Sequence, residues 1–199
     1  MIHFTRGAPS DDAIPLGLIQ RANHVALQEY GAQAVPYGSA WGFEPLRAWL
    51  AEEHQHPLDG IIVGNGSISL LSQLVADRIT AGDTVVVESP TYDRVLTMLQ
   101  KHQANVIALP LLDDGIDPDA LDAVLSAHDV KLIYLICDFN NPAGVQTSLE
   151  KRQRIAELAK RYDVLIVDDG AYQQLQFDAD PLPPLRHFAP EHVVTMGSF

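Results

Sequence analysis

From residue 61 onward the chain alternates two hydrophobic rhythms. Short runs rich in Val and Ile are apolar at every position; longer stretches repeat apolar residues every three or four. The first rhythm predicts buried strands and the second predicts helices. Strands are expected at "IIVG" (61–64), "DTVVVESP" (83–90), "ANVIALPL" (104–111), "VKLIYLIC" (130–137), "DVLIVDD" (163–169) and "HVVTM" (192–196). A helix is expected over 67–79, with Ile68, Leu71, Val75 and Ile79 on one face, and another over 91–102. A third, over 117–128, starts on Asp117-Pro118, a good N-cap and first-turn pair. The fourth, "TSLEKRQRIAELAKRY" (147–162), opens on a capping box of Thr147 with Glu150. Its apolar face is Leu149, Ile155, Ala159 and Tyr162. "DDG" (113–115) reads as a turn and "DPLPPLRHFAP" (180–190) as a Pro-rich loop.

Alternating strands and helices, with strands apolar on both faces, predict an α/β fold with a mainly parallel sheet covered by helices. Such a sheet holds its ligand at the carboxyl ends of its strands. Residues 1–45 differ. They carry one helix-like stretch, "LGLIQRANHVALQEY", and a Gly-rich loop, "PYGSAWGFEPL", with no strand pattern. They read as an arm or part of a smaller domain, ahead of a large domain over 46–199.

Composition narrows the function. Of 199 residues, 47% are hydrophobic and 20% charged, enough for a real core. No apolar run reaches the ~18 residues of a membrane span. The start lacks a signal-peptide core, so a cytoplasmic protein with no membrane partner is expected. The formal charge of −13 weighs against nucleic-acid binding. The one cysteine, Cys137, excludes an internal disulfide or a Cys-based zinc site and reads as a buried thiol. His54 and His56 fit a solvated helix end, and no metal is expected.

The residues after each strand carry the candidate chemistry. "GNGSIS" at a strand-to-helix turn is a candidate phosphate cradle, where small residues and the helix dipole favour an anion; Ser67 as a plain N-cap fits equally well. In "ESPTY", Tyr92 can stack on a planar ligand or pack on its own helix. In "CDFNNPAG", Asn140 or Asn141 can point an amide into the cleft, although turn chemistry alone accounts for Asn, Pro and Gly. The paired acids of "VDDGAY" end a buried strand, where a carboxylate is costly without a cation or donors. Strand geometry sets Asp168 and Asp169 on opposite faces, one toward core or cleft and one toward solvent.

Together these motifs resemble a fold-type I pyridoxal-phosphate enzyme, with the aspartate aminotransferase-like fold, of the class I/II aminotransferase family. "NGSISLL", "ESPTY", "NNPAG", "DDGAY" and "PYGSAWGFEPLRAWLAEE" are similar to its motifs, in family order. The style is nearest the 2-aminoadipate, aromatic and kynurenine aminotransferases. The resemblance implies that Ser67 and Ile68 give backbone N–H groups to the cofactor phosphate, helped by the Ser67 hydroxyl. Many relatives carry Gln where Ile68 and Ser69 stand. Tyr92 would stack on the pyridine ring, and Asn141 and Tyr172 would hydrogen-bond its phenolic oxygen. Asp169 would pair with the pyridinium nitrogen, leaving Asp168 behind it. Ser198 would be a phosphate ligand. Tyr37 would reach the partner subunit's cofactor, which implies a homodimer with shared sites. Gly7 and Asn141 would lie near the substrate. A cis peptide is expected at Asn141–Pro142.

The family's lysine, which joins the cofactor as a Schiff base, has no counterpart among Lys101, Lys131, Lys151 and Lys160. It is expected just beyond Phe199. The chain therefore reads as an amino-terminal half, inactive alone, with no catalytic residue of its own. A pyridoxal-phosphate C–S lyase of the same fold and a cofactor-binding sensor domain of a transcription regulator stay open as alternatives. A nucleotide-binding α/β protein lacks its phosphate-loop fingerprint.

Overall fold

The computed structural model describes residues 10–177 and 179–198. The expected substrate-side residue Gly7, and Phe199, lie outside the described residues. The chain groups into two compact units, 1–64 and 65–199.

In the first unit α1 spans Leu16–Ala34 and α2 spans Glu44–Glu53. No α1 side chain is buried. Tyr30 packs edge-on to Phe43, with ring centroids 5.6 Å apart. Arg47 is buried and donates to the carbonyls of Leu58 (2.6 Å) and Ile61 (2.7 Å), its guanidinium 5.7 Å from the centre of the Trp41 ring. The expected strand at 61–64 does not form. Ile61 is extended, but the segment joins no ladder among the described residues; its backbone contacts are single bonds, such as Val63 N–H to the Trp41 carbonyl at 3.0 Å.

The second unit begins with α3 (Ser67–Arg78), followed by β1 (Thr84–Ser89), α4 (Asp93–Lys101), β2 (Asn105–Leu112) and β3 (Gly115–Ile116). Then come α5 (Pro118–Ala127), β4 (Val130–Leu135), α6 (Leu149–Tyr162), β5 (Leu165–Asp169), α7 (Leu185–Phe188) and β6 (Val193–Met196). The six strands lie in the order β3-β2-β1-β4-β5-β6. All pairs are parallel except the two-residue β3 against β2. So Gly115, expected only as a turn, also starts a short edge strand, and α7 forms inside the expected Pro-rich loop.

The period-2 alternation of the strands divides the core. Val86, Ile133, Leu135 and Ile166 face one cluster with α5 and α6; Val85, Val87, Leu132, Tyr134 and Val167 face the other with α3 and α4. Both faces of β1, β4 and β5 are covered, which is why those strands read as unbroken apolar runs. Asp117 caps α5 as expected, accepting from Asp119 N–H at 3.0 Å. The α6 cap differs from expectation. Thr147 is buried, donates its amide to the Cys137 carbonyl and packs its side chain toward Gly115. Ser148 is the N-cap instead, and Lys151 rather than Glu150 occupies the third helical position.

Candidate active site

The chain leaves β1 for β2 on one side of the sheet, while β4 lies on the other. That reversal opens a crevice beyond the carboxyl ends of β1 and β4. The segments that follow β1, β4 and β5 carry Tyr92, Asn141 and Tyr172, Asp169 closes β5, and the other expected site residues of this unit lie at the start of α3 and after β6.

The paired acids end β5. Both are buried, at 2% (Asp168) and 6% (Asp169) exposure, so the expectation that one faces solvent fails. Helices cover both faces of the sheet, and the alternation merely selects which layer each acid enters. Asp169 shares its side of the sheet with Tyr134, whose hydroxyl donates to Asp169 Oδ2 at 2.6 Å. Asp169 Oδ1 is buried with no partner among the described residues. Burial raises the Asp169 pKa, while the Tyr134 hydroxyl and the Ala171 amide oppose the rise. Asp168 enters the other layer, where burial pushes it up to about 6 against the pull of Arg152.

Two prolines turn the chain at the strand ends. The Ser89–Pro90 and Asn141–Pro142 peptides are both cis, the second as the resemblance implies. The structure separates the two asparagines of "NNP". Asn140 is buried and turned inward, with Nδ2 donating to Glu88 Oε2 at 2.8 Å. Asn141 is half-buried, and its Nδ2 donates to the Tyr172 hydroxyl at 3.1 Å. This pair lines a depression of about 350 Å³ together with Phe139, Asn140, Pro142, Gly144 and Leu175. Gln146 ties the two turns, donating to Asp138 (3.0 Å) and to Gln176 (3.1 Å).

Tyr92 caps the start of α4 in extended conformation and is half-buried against the Tyr134 layer. At the start of α3, Gly66 has φ +90°, a conformation that favours glycine, and supplies no capping side chain. The amides of Ser67 and Ile68 make no hydrogen bond among the described residues; that of Ser69 turns back to the Gly66 carbonyl. Two amides at a helix start, with the dipole behind them, can receive an anion. Ser198 follows β6 and is exposed. Tyr37 belongs to the first unit and is fully exposed.

The pattern missed several residues. Glu88, at the end of β1, accepts from Asn140 and from the Ile136 amide, both at 2.8 Å, and burial pushes its pKa up to about 8. Arg152, fully buried, donates to Asp138 at 2.5 Å and to the carbonyls of Thr147, Cys137 and Pro183. Asp168 Oδ1, in the layer that holds Arg152, and Thr91 Oγ1 are further buried atoms without a partner among the described residues. The available hints were a lone charge closing "VVVE" and a lone hydroxyl in "LIYLIC".

The four lysines stand elsewhere. Lys101 and Lys160 lie in last turns of helices, Lys131 pairs with Asp129, and Lys151 pairs with Asp114. Among the described residues no helix is long and apolar enough to cross a membrane, and no group of His, Cys, Asp and Glu is placed to hold a metal ion.

The family model for aminotransferase class I and II matches residues 3–199. The chain is 32% identical over 211 residues to aromatic-amino-acid aminotransferase 1 of Thermococcus litoralis, covering all of this chain and 51% of that protein. It is similar to the crystal structure of a multiple substrate aminotransferase from Thermococcus profundus, at TM-score 0.89 and 32% identity, over 98% of this chain and 51% of that one. It is also similar to the alpha-aminoadipate aminotransferase of Thermus thermophilus, complexed with N-(5'-phosphopyridoxyl)-L-leucine. There the TM-score is 0.92 and the identity 30%, over 98% of this chain and 51% of that one. The chain thus spans about half the length of the relatives it matches.

Proposed function

The chain belongs to the class I and II aminotransferase family, and from that premise we propose that the full-length protein is a pyridoxal-phosphate-dependent aminotransferase. It would move an amino group between an amino acid and a 2-oxo acid. The observation that carries the reading is Asp169 Oδ1, a buried carboxylate oxygen in the layer of Tyr92 and Tyr134 with no partner among the described residues and, unlike Asp168 beside Arg152, no cation acting on it. Such an atom calls for a cationic N–H donor, and a protonated pyridine nitrogen is one.

The other residues fit the remaining edges of the same cofactor. Asn141 and Tyr172, already in contact, would hold the phenolic oxygen. Tyr92 would cover a ring face. The amides of Ser67 and Ile68, with the hydroxyls of Ser67, Ser69 and Ser198, would receive the phosphate. Tyr37 would serve the partner subunit's phosphate in a homodimer with shared sites, and Gly7 would lie by the substrate carboxylate with Asn141. We place the protein in the cytoplasm and assign residues 46–199 to the cofactor domain, after an amino-terminal arm and part of a small domain.

When bound, pyridoxal phosphate supplies an electron sink for charge that develops at the α-carbon of an amino acid. Asp169 makes that sink stronger by holding a proton on the ring nitrogen. Beside such a cation, Asp169 would lose part of the pKa rise that burial gives it and would stay ionised. Asn141 and Tyr172 would orient the ring through its phenolic oxygen, and the buried Tyr134 layer would exclude water behind Asp169.

The test is amino transfer by the full-length protein. Purified protein with pyridoxal phosphate is given a panel of aromatic, acidic and aliphatic amino acids with 2-oxoglutarate, and the new amino and oxo acids are separated and counted. Stoichiometric formation of both products is expected. Elimination products with no new amino acid would instead favour a lyase.

A further inference from the structure

We infer that Tyr134 is a positioning residue for the cofactor: its hydroxyl holds Asp169 by Oδ2 and so leaves Oδ1 as the single carboxylate oxygen for the cofactor's ring nitrogen. This deepens the reading above and rests on it. Tyr134 lies on β4, one strand away from Asp169, and is 0% exposed. The 2.6 Å contact lies in the range of a hydroxyl donating to a carboxylate and is shorter than the usual neutral O–H···O bond. The two oxygens of Asp169 are thereby unlike: one is satisfied by the protein, and the other is buried without a partner among the described residues.

The bond does more than aim the carboxylate. Burial favours the neutral acid, which could not hold a proton on the ring nitrogen. The Tyr134 hydroxyl is the largest influence working the other way, with the Ala171 amide second. Burial and the adjacent Asp169 charge also keep Tyr134 in its protonated, donating form. The other titratable groups acting on the pair are Glu88, from the end of β1, and Tyr92, from the start of α4, and both act on Tyr134. Leu71, Leu74 and Val75 of α3 add only apolar contact to this layer, as do Val95, Met98 and Leu99 of α4 and Met196 of β6. Asp168 faces the other layer.

The experiment titrates the full-length protein with pyridoxal phosphate by absorbance from pH 6 to 9, for wild type, Tyr134→Phe and Asp169→Ala. Wild type that fails to bind would sink the cofactor reading itself. Given wild-type binding, Tyr134→Phe should bind about tenfold or more weakly at pH 6 and recover toward wild type as pH rises. The acid limb of its binding curve should move up by about one pH unit. A uniform weakening with the limb unmoved would mean Tyr134 is only packing and would overturn the inference, as would unchanged binding. Placing 3,5-difluorotyrosine at position 134 keeps the ring in place while making the phenol a stronger donor. It should move the limb down, and its failure to do so would overturn the inference even if Tyr134→Phe does not fold.

Discussion

Asn140 Nδ2 and Glu88 Oε2 meet at 2.8 Å inside the protein, joining the end of β1 to the turn that carries Asn141. The same carboxylate oxygen accepts the Ile136 amide. One acid therefore fixes where β4 ends and how the asparagine turn leaves it. Glu88→Ala should lose about 2 kcal/mol in urea unfolding, because it strands two buried donors. Glu88→Gln keeps an acceptor oxygen and should lose much less. Equal losses would show that the contact does not matter.

The same residue sets a pH dependence. Burial holds Glu88 near 8 and Asp168 near 6, against 4.5 and 3.8 ordinarily. Between those values the folded chain keeps protons that the unfolded chain has released. Stability from these groups is full below the ordinary range and is lost as pH rises through 6 and then 8. Unfolding at pH 5, 7 and 9 should show wild type weakening across the series relative to Glu88→Gln. Parallel curves for the two proteins would contradict it.

How much of this was legible can be read residue by residue. The acid pair 168–169 stood out because charges ending an apolar run are costly, the resemblance chose Asp169 from it, and the apolar runs located β1, β4, β5 and β6. Glu88 and Tyr134 could not be assigned. Their partners lie 48 and 35 residues away, and periodicity names a face without saying what stands on the next strand. The segment 61–64 had a strand's composition, but a ladder needs a partner. Thr147 had a cap's chemistry, yet the Cys137 carbonyl and Gly115 claim it, and the helix starts one residue later.

Arg152 should be the costliest single change outside the site. It is fully buried and pairs with the buried Asp138 while serving three carbonyls. Arg152→Met leaves an uncompensated charge and should cost about 3–5 kcal/mol. Arg152→Lys should restore little, because one ammonium cannot reproduce a planar fork with several donors. Chemical denaturation of the three proteins decides this, and a lysine variant of wild-type stability would refute it.

Asn141 and Tyr172 should behave as one unit toward the cofactor. Asn141→Ala and Tyr172→Phe should each shift the absorption maximum of bound pyridoxal phosphate and weaken its binding. The double variant should lose less than the sum, since the two side chains already share a hydrogen bond. Strict additivity, with unshifted spectra, would separate the pair from the cofactor.

The most direct measurement compares the two neighbouring acids. They are consecutive, both buried, and enter opposite layers of the sheet. Full-length Asp169→Asn and Asp168→Asn are titrated with pyridoxal phosphate beside wild type. Asp169→Asn should bind at least about tenfold more weakly, and Asp168→Asn should stay within about threefold of wild type. Equal affinities in all three proteins, or equal losses in both variants, would contradict the assignment of Asp169 to the cofactor.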